Sequence, residues 1–342
     1  MRILLATAVA IAPLLAASGA MAEVVISTAR TTPITTANAT GTGADDIRIA
    51  SGGAINISSG VALTLNSSHS IDIDAGGAIL MATAADGATA VLANGGNTGN
   101  VLIGGSIKIE DSIASTADVD TDNDGDGDGD FASGTGRYGV RVAGATALVG
   151  NVVLETGGTV GVEGNDSYGI AVEAPLTGDL NVLGAVGILG NNGYGVRVTG
   201  DVSGDVRLVG AITAQGGGTV GASVEGDIAG SLLVQSTMSV TGYRYTTPPP
   251  VRPDGYVETA SNDASFLFRD ELEADDLLQG GPALRIASNI AGGVLFGRPP
   301  VYGGTGIEGD DDADGVKNGD EDDDGDGTIN RNDTDRNGNG VT

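Results

Sequence analysis

The side chains best suited to chemistry in this chain are its aspartates, and they are unevenly spread. Asp310, Asp312 and Asp314 alternate, Gly315 follows, and Glu321 stands at the twelfth position of the same window. A second window opens at once with Asp322, Asp324 and Asp326, continues with Gly327 and closes on Asp333, where a third begins with Asp335 and Asn337. A hard cation explains this spacing. Calcium takes about six to eight oxygens at about 2.3–2.6 Å, from alternate carboxylates, a backbone carbonyl and a bidentate acid at the twelfth position, with glycine making the sharp turn.

A second acidic run lies in the middle of the chain. Asp120, Asp122, Asp124, Asp126, Asp128 and Asp130 alternate there with Gly125, Gly127 and Gly129, although no acid falls at the twelfth position from Asp120. Calcium is the expected ligand of both runs. Like charges this close repel, so in either run the free energy of metal binding becomes folding free energy. Sites of about 10⁻⁴–10⁻³ M fill in extracellular calcium, so such a chain would travel loose and stiffen outside the cell. The bland alternative for the terminal run is a disordered acidic tail.

In the first terminal window Val316 follows the glycine and Lys317 takes a place where an EF-hand carries an apolar residue, and no amphipathic helices flank the windows. The run from Asp310 to the end instead resembles the aspartate-rich thrombospondin type 3 repeat. That resemblance implies calcium ions organising an otherwise structureless chain.

Other chemistry is sparse. Cysteine is absent, which removes thiolate ligands, cysteine nucleophiles and disulfides, and the one histidine, His69, sits in the polar turn Ser67-Ser68-His69-Ser70. Any Ser-His-Asp arrangement would have to be built around it. Arg141 and Arg197 occupy matching positions of a repeat, as a base or as outward-facing arginines. A net charge of −29 argues against nucleic acid as a partner, since a phosphate backbone requires a basic surface.

The elements that would position these groups are strands. Between Ile47 and Met81 an apolar-polar-apolar triplet recurs every eight residues: Ile47-Arg48-Ile49, Ile55-Asn56-Ile57, Leu63-Thr64-Leu65, Ile71-Asp72-Ile73 and Ile79-Leu80-Met81. A three-residue strand with both ends inward has period two, and three such steps make about one coil of a β-helix. Hairpins share the spacing but usually have longer strands and two-residue turns. From about Gly136 a longer repeat takes over. Tyr138-Gly139-Val140-Arg141-Val142 returns as Tyr168-Gly169-Ile170-Ala171-Val172 and Tyr194-Gly195-Val196-Arg197-Val198, at intervals of 30 and 26 residues, and the stretch from Leu284 to Val294 resumes it. Fixed periods of this size indicate stacked rungs, each unable to bury its inward face alone. Only 3% of the chain is aromatic, so Val, Ile, Leu and Ala must form the layers.

Met1-Arg2, the apolar run Ile3 to Ala17 and Ala20-Met21-Ala22 have the form of a secretory signal, with the mature chain starting near Glu23. The expected organisation is a signal peptide at 1–22, β-helix rungs at 23–242 with the acidic insertion at 118–130, and a Pro/aromatic inserted loop at 243–282. A resumed rung at 283–308 and the tandem calcium repeats at 309–342 complete it. The expected fold class is an all-β parallel β-helix, or solenoid, with an acidic calcium-binding tail.

The signal, the Gly-rich rungs, the Tyr-Gly-Val/Ile phrases and the lack of cysteine together resemble the passenger domains of autotransporters, the type V secretion system, over residues 23 to 300. The resemblance implies a right-handed parallel β-helix, threaded through a C-terminal outer-membrane barrel encoded beyond residue 342 and displayed or released at the Gram-negative surface. The expected function is therefore structural or adhesive, toward a glycan or protein not specified by the sequence, and not enzymatic. Parallel β-helices also host polysaccharide-cleaving enzymes, which is the competing reading; an isolated cluster of acid, Arg and aromatic side chains on one face would favour it.

Overall fold

A computed structural model describes residues 23–113, 130–242, 250–257, 259, 268–270 and 278–297. Within them the chain is a parallel β-solenoid. Strands add in rotation to three main sheets, the first of nine strands and the second and third of eight each, a short two-stranded sheet of Leu148–Val149 and Leu176–Thr177 lies between the third and the first, and every pairing is parallel. One rung is exemplified by Ile71–Ile73 in the first sheet, Ala78–Met81 in the second and Thr89–Asn94 in the third.

The eight-residue step is the distance from one sheet to the next, and three steps close a rung. Ile47 pairs with Ile71 and Ile55 with Ile79, each one coil further on. The outer residues of each triplet point inward and the middle one outward: Ile71 and Ile73 are fully buried while Asp72 is half-buried. Ile49, Ile73, Ile103, Leu154, Val182 and Leu208 thus stack in one column of the core, each aliphatic side chain contributing about 1.5–3 kcal/mol by leaving water. The buried column residues are almost all Ile, Leu, Val and Ala.

The third sheet has a bend that the triplet pattern lacks. In Tyr138–Ala143 the side chains run out at Tyr138, in at Val140, out at Arg141 and in at Val142, with Gly139 facing inward beside Val140. A Cβ on Gly139 would lie 2.5 Å from the Gly169 carbonyl oxygen and 2.4 Å from a Val160 methyl; Gly169 meets Gly195 and Val186, and Gly195 meets Gly221 and Ile212, in the same way. Glycine is required here by close approach. The consequence is that Tyr138 and Arg141 project from the same face although three residues apart.

Side-chain ladders close the turns. Ahead of the first sheet, Asp46, Asn100, Asn151, Asp179 and Asp205 each offer a side-chain oxygen to the backbone N–H one rung on: Ser70, Asn151, Asp179, Asp205 and Ser231 donate at 2.7–2.9 Å. Ser70 Oγ fills the one gap by accepting from Asn100 N–H at 3.1 Å. Crossings from the second sheet to the third normally take four residues, as at 164–167 and 190–193. Two crossings are far longer, from Ile109 to Tyr138 and from Thr241 to Leu284, and both excursions leave the solenoid at this same corner. At the far end Val294–Phe296 forms the last described strand, and Phe296 is 65% exposed.

Candidate functional site

The metal ligands expected from the sequence, Asp310, Asp312, Asp314, Glu321, Asp322, Asp324, Asp326 and Asp333 in the tail and Asp120, Asp122, Asp124, Asp126 and Asp128 in the middle, lie outside the described residues, as does the signal segment 1–22. Among the described residues no group of three His, Asp or Glu is placed to hold a metal ion.

The neck of the central acidic excursion is described, and it is tightly built. Asp111 leaves the second sheet and Arg137 precedes the third, and their side chains meet at 2.8 Å with 1% and 3% of their surface exposed. The Asp111 carboxylate also accepts from Ser133 N–H and hydroxyl, Gly134 N–H and Ser112 N–H. Arg137 donates further N–H groups to the Glu163 carbonyl at 2.7 Å and to the carbonyls of Ala84 and Ala85. Burial pushes the Asp111 carboxyl up, but the hydrogen bonds from Ser133, Gly134 and Ile113 and the Arg137 charge outweigh it and hold it well below the usual carboxylate range. Both ends of the excursion are thereby fixed to the rigid stack, and whatever lies between them is presented from a closed neck.

The same corner opens onto the outer face of the third sheet, where the glycine bend places Tyr138, Tyr168 and Tyr194 in one column. Their rings stack with centroids 4.8 and 5.6 Å apart and interplanar angles of 14° and 10°. The next outward column reads Arg141, Ala171, Arg197, Ser223, Arg285 along the pairing register, an arginine on every second rung. Arg141 lies 4.2 Å over the Tyr138 ring and Arg197 4.8 Å over Tyr194. Each arginine reaches one rung on to a glutamate: Arg141 to Glu173 at 2.8 Å and Arg197 to Glu225 at 3.1 Å. Arg285 approaches Glu225 from the other side at 3.7 Å. The small residues between the arginines, Ala171 and Ser223, face outward yet are buried. The Arg197 guanidinium is held further above its usual value by the Glu225 hydrogen bonds and charge, and burial raises the Tyr138 phenol.

Sequence reasoning found the Tyr-Gly-Val/Ile phrase and the matching arginines but not their union. The signal was the three-residue offset between Tyr and Arg, which on a straight strand puts them on opposite faces.

His69 is half-buried in its polar turn. Its Nδ1 lies 3.3 Å from Asp46 Oδ1, off hydrogen-bond geometry. The serines of that turn serve the packing of the rungs instead: Ser67 Oγ donates to the Thr36 hydroxyl, and Ser68 Oγ and Ser70 Oγ accept from Thr98 and Asn100 N–H. In the second excursion Arg252 pairs with Asp270 at 2.7 Å and lies 4.8 Å over Phe268, which meets Tyr256 edge to face. Phe268 is buried there, so at least this aromatic is spent on the local packing of the excursion.

The fold and these ladders define a parallel β-solenoid with one aromatic and charged face. No family model matches the chain, and no curated protein or solved structure is significantly similar to it.

Proposed function

We propose that this chain is an exported structural and adhesive β-solenoid of the Gram-negative cell surface, a passenger of the autotransporter type, stiffened by calcium bound at the Asp-rich tail and the central acidic run. The observation that carries the reading is the unbroken three-sheet stack from Glu23 to Phe296, from which both long excursions are expelled at a single corner. Such a stack is a rigid spacer whose stability is a sum of neighbour contacts, suited to holding a face away from a membrane. The absence of cysteine agrees with passage through an envelope without disulfide formation, and the secretory signal supplies the address. The rod is proposed to be non-catalytic.

Treating intact cells with protease and tracing the chain by antibody tests the reading. Loss of signal without lysis is expected; a chain cleaved only after lysis contradicts surface display.

A second reading is a polysaccharide-cleaving enzyme, favoured by one observation, the gathering of Glu, Arg and Tyr side chains on the third sheet. Against it, the group is not isolated: it repeats along the stack, and Glu173 and Glu225 are each engaged by arginine. New reducing ends or unsaturated products released from polysaccharide by the purified chain would establish it.

A further inference from the structure

We infer that the outer face of the third sheet, from Tyr138 to Arg285, binds a neutral, extended polysaccharide laid along the solenoid axis. The inference rests on the adhesive reading above and names its ligand.

Three features of the face lead to it. The first is period. Arginines stand on every second rung, at 141, 197 and 285, and two strand spacings amount to about 10 Å. A disaccharide in an extended pyranose chain has about the same length, so a polymer lying along the columns meets a guanidinium at every second sugar. A globular protein partner offers no such translation.

The second feature is chemistry. The tyrosine faces are taken up by one another and by the arginines above them. What the face presents is planar guanidinium groups, carboxylate oxygens and the margins of half-buried rings, a mixture of donors and acceptors in fixed positions. Sugar hydroxyls are both donors and acceptors and are matched by such a mixture. Arg141 and Arg197 are already held by ion pairs and rings, so little of their side-chain freedom is lost on binding.

The third feature is charge. Arg141, Arg197 and Arg285 against Glu173 and Glu225 leave the face close to neutral within a chain of net charge −29. A polyanion would be repelled at long range by the rest of the molecule, and a neutral polymer would not. The two excursions also leave and rejoin the solenoid at the corner of this sheet, immediately before Tyr138 and before Leu284, and so bracket the face on its first and last arginine rungs.

Affinity electrophoresis of the full exported chain tests the inference, at constant millimolar calcium, in gels holding xyloglucan, glucomannan or hydroxyethylcellulose, with polygalacturonate and heparin as anionic probes. Retardation by at least one neutral polymer is expected. Arg141→Gln with Arg197→Gln should weaken it by about tenfold or more, the scale of one lost charged hydrogen bond, while Arg48→Gln, on the outer side of the first sheet and away from this face, should change it little. Circular dichroism and thermal melting of the variants separate lost binding from lost folding, and Glu173→Gln provides a second variant should the double one fail to fold.

Retardation by the anionic polymers alone, by no polymer, or equally for wild type and the arginine variants overturns the inference. A chain that is displayed on cells yet binds none of the polymers refutes the ligand and leaves the surface reading intact. A chain that binds but is never protease-accessible on intact cells refutes the surface reading alone.

Discussion

Asp111 and Arg137, twenty-six residues apart in sequence, form a buried ion pair that closes the neck of the central acidic excursion. Beyond the local bonds from Ser112 and Ile113, the hydrogen bonds they make tie one end of the excursion to the other or to a neighbouring rung. Removing one partner leaves the other charge buried and alone. Asp111→Asn and Arg137→Met should therefore each destabilise the solenoid by about 3–5 kcal/mol in urea unfolding, and the double variant should cost less than their sum.

The pH dependence of that pair follows from its direction of shift. A carboxyl held below its usual value stabilises the fold above the unfolded pKa and loses that contribution only as pH falls through the folded value. The stability gap between wild type and Asp111→Asn should thus be constant from neutrality to about pH 4 and narrow only in stronger acid. A gap that closes near pH 6 would contradict the pairing.

The glycine column gives a sharper contrast. Gly169→Ala drives a methyl into the Gly195 carbonyl and Val186, and should cost about 1–3 kcal/mol. Gly161→Ala, on the outer face of the second sheet with open space where its Cβ would stand, should be neutral or stabilise by up to about 1 kcal/mol. Equal thermal shifts for the two would contradict the account of the bend.

The turn ladder separates charge from hydrogen bonding. Asp205 Oδ1 accepts both the N–H and the hydroxyl of Ser231, at 2.7 and 2.9 Å, and these bonds lower its pKa. Asp205→Asn keeps an acceptor but loses the charge that these bonds favour, so at neutral pH it should cost less than Asp205→Ala, which should lose about 1 kcal/mol. Thermal melting distinguishes them.

Much of this fold was legible in the residues. The triplets from Ile47 to Met81 specified the sheets, and their step gave the coil, because each triplet fills one side of the rung and a one-residue slip would expose its aliphatics. The repeat of Tyr138, Tyr168 and Tyr194 gave the register of the third sheet directly. The Asp111–Arg137 neck was not legible, since its partners are brought together by stacking rather than by any local pattern. The tyrosine and arginine face was half legible: the columns were visible, but the inward glycine that turns Tyr138 and Arg141 to the same side acts through contact with the next rung. The turn ladder was invisible because Asp46, Ser70, Asn100 and Asn151 share only the capacity to accept a hydrogen bond.

Calcium is the central claim. Isothermal titration of the purified mature chain with calcium, paired with limited proteolysis, tests it most directly. Saturable uptake in or below the millimolar range is expected, with the chain after Phe296 and the segment between Ile113 and Asp130 becoming resistant to cleavage on loading and sensitive again with chelator. No heat of binding and an unchanged digestion pattern at millimolar calcium would contradict it, leaving a rigid solenoid flanked by acidic segments that bind no metal.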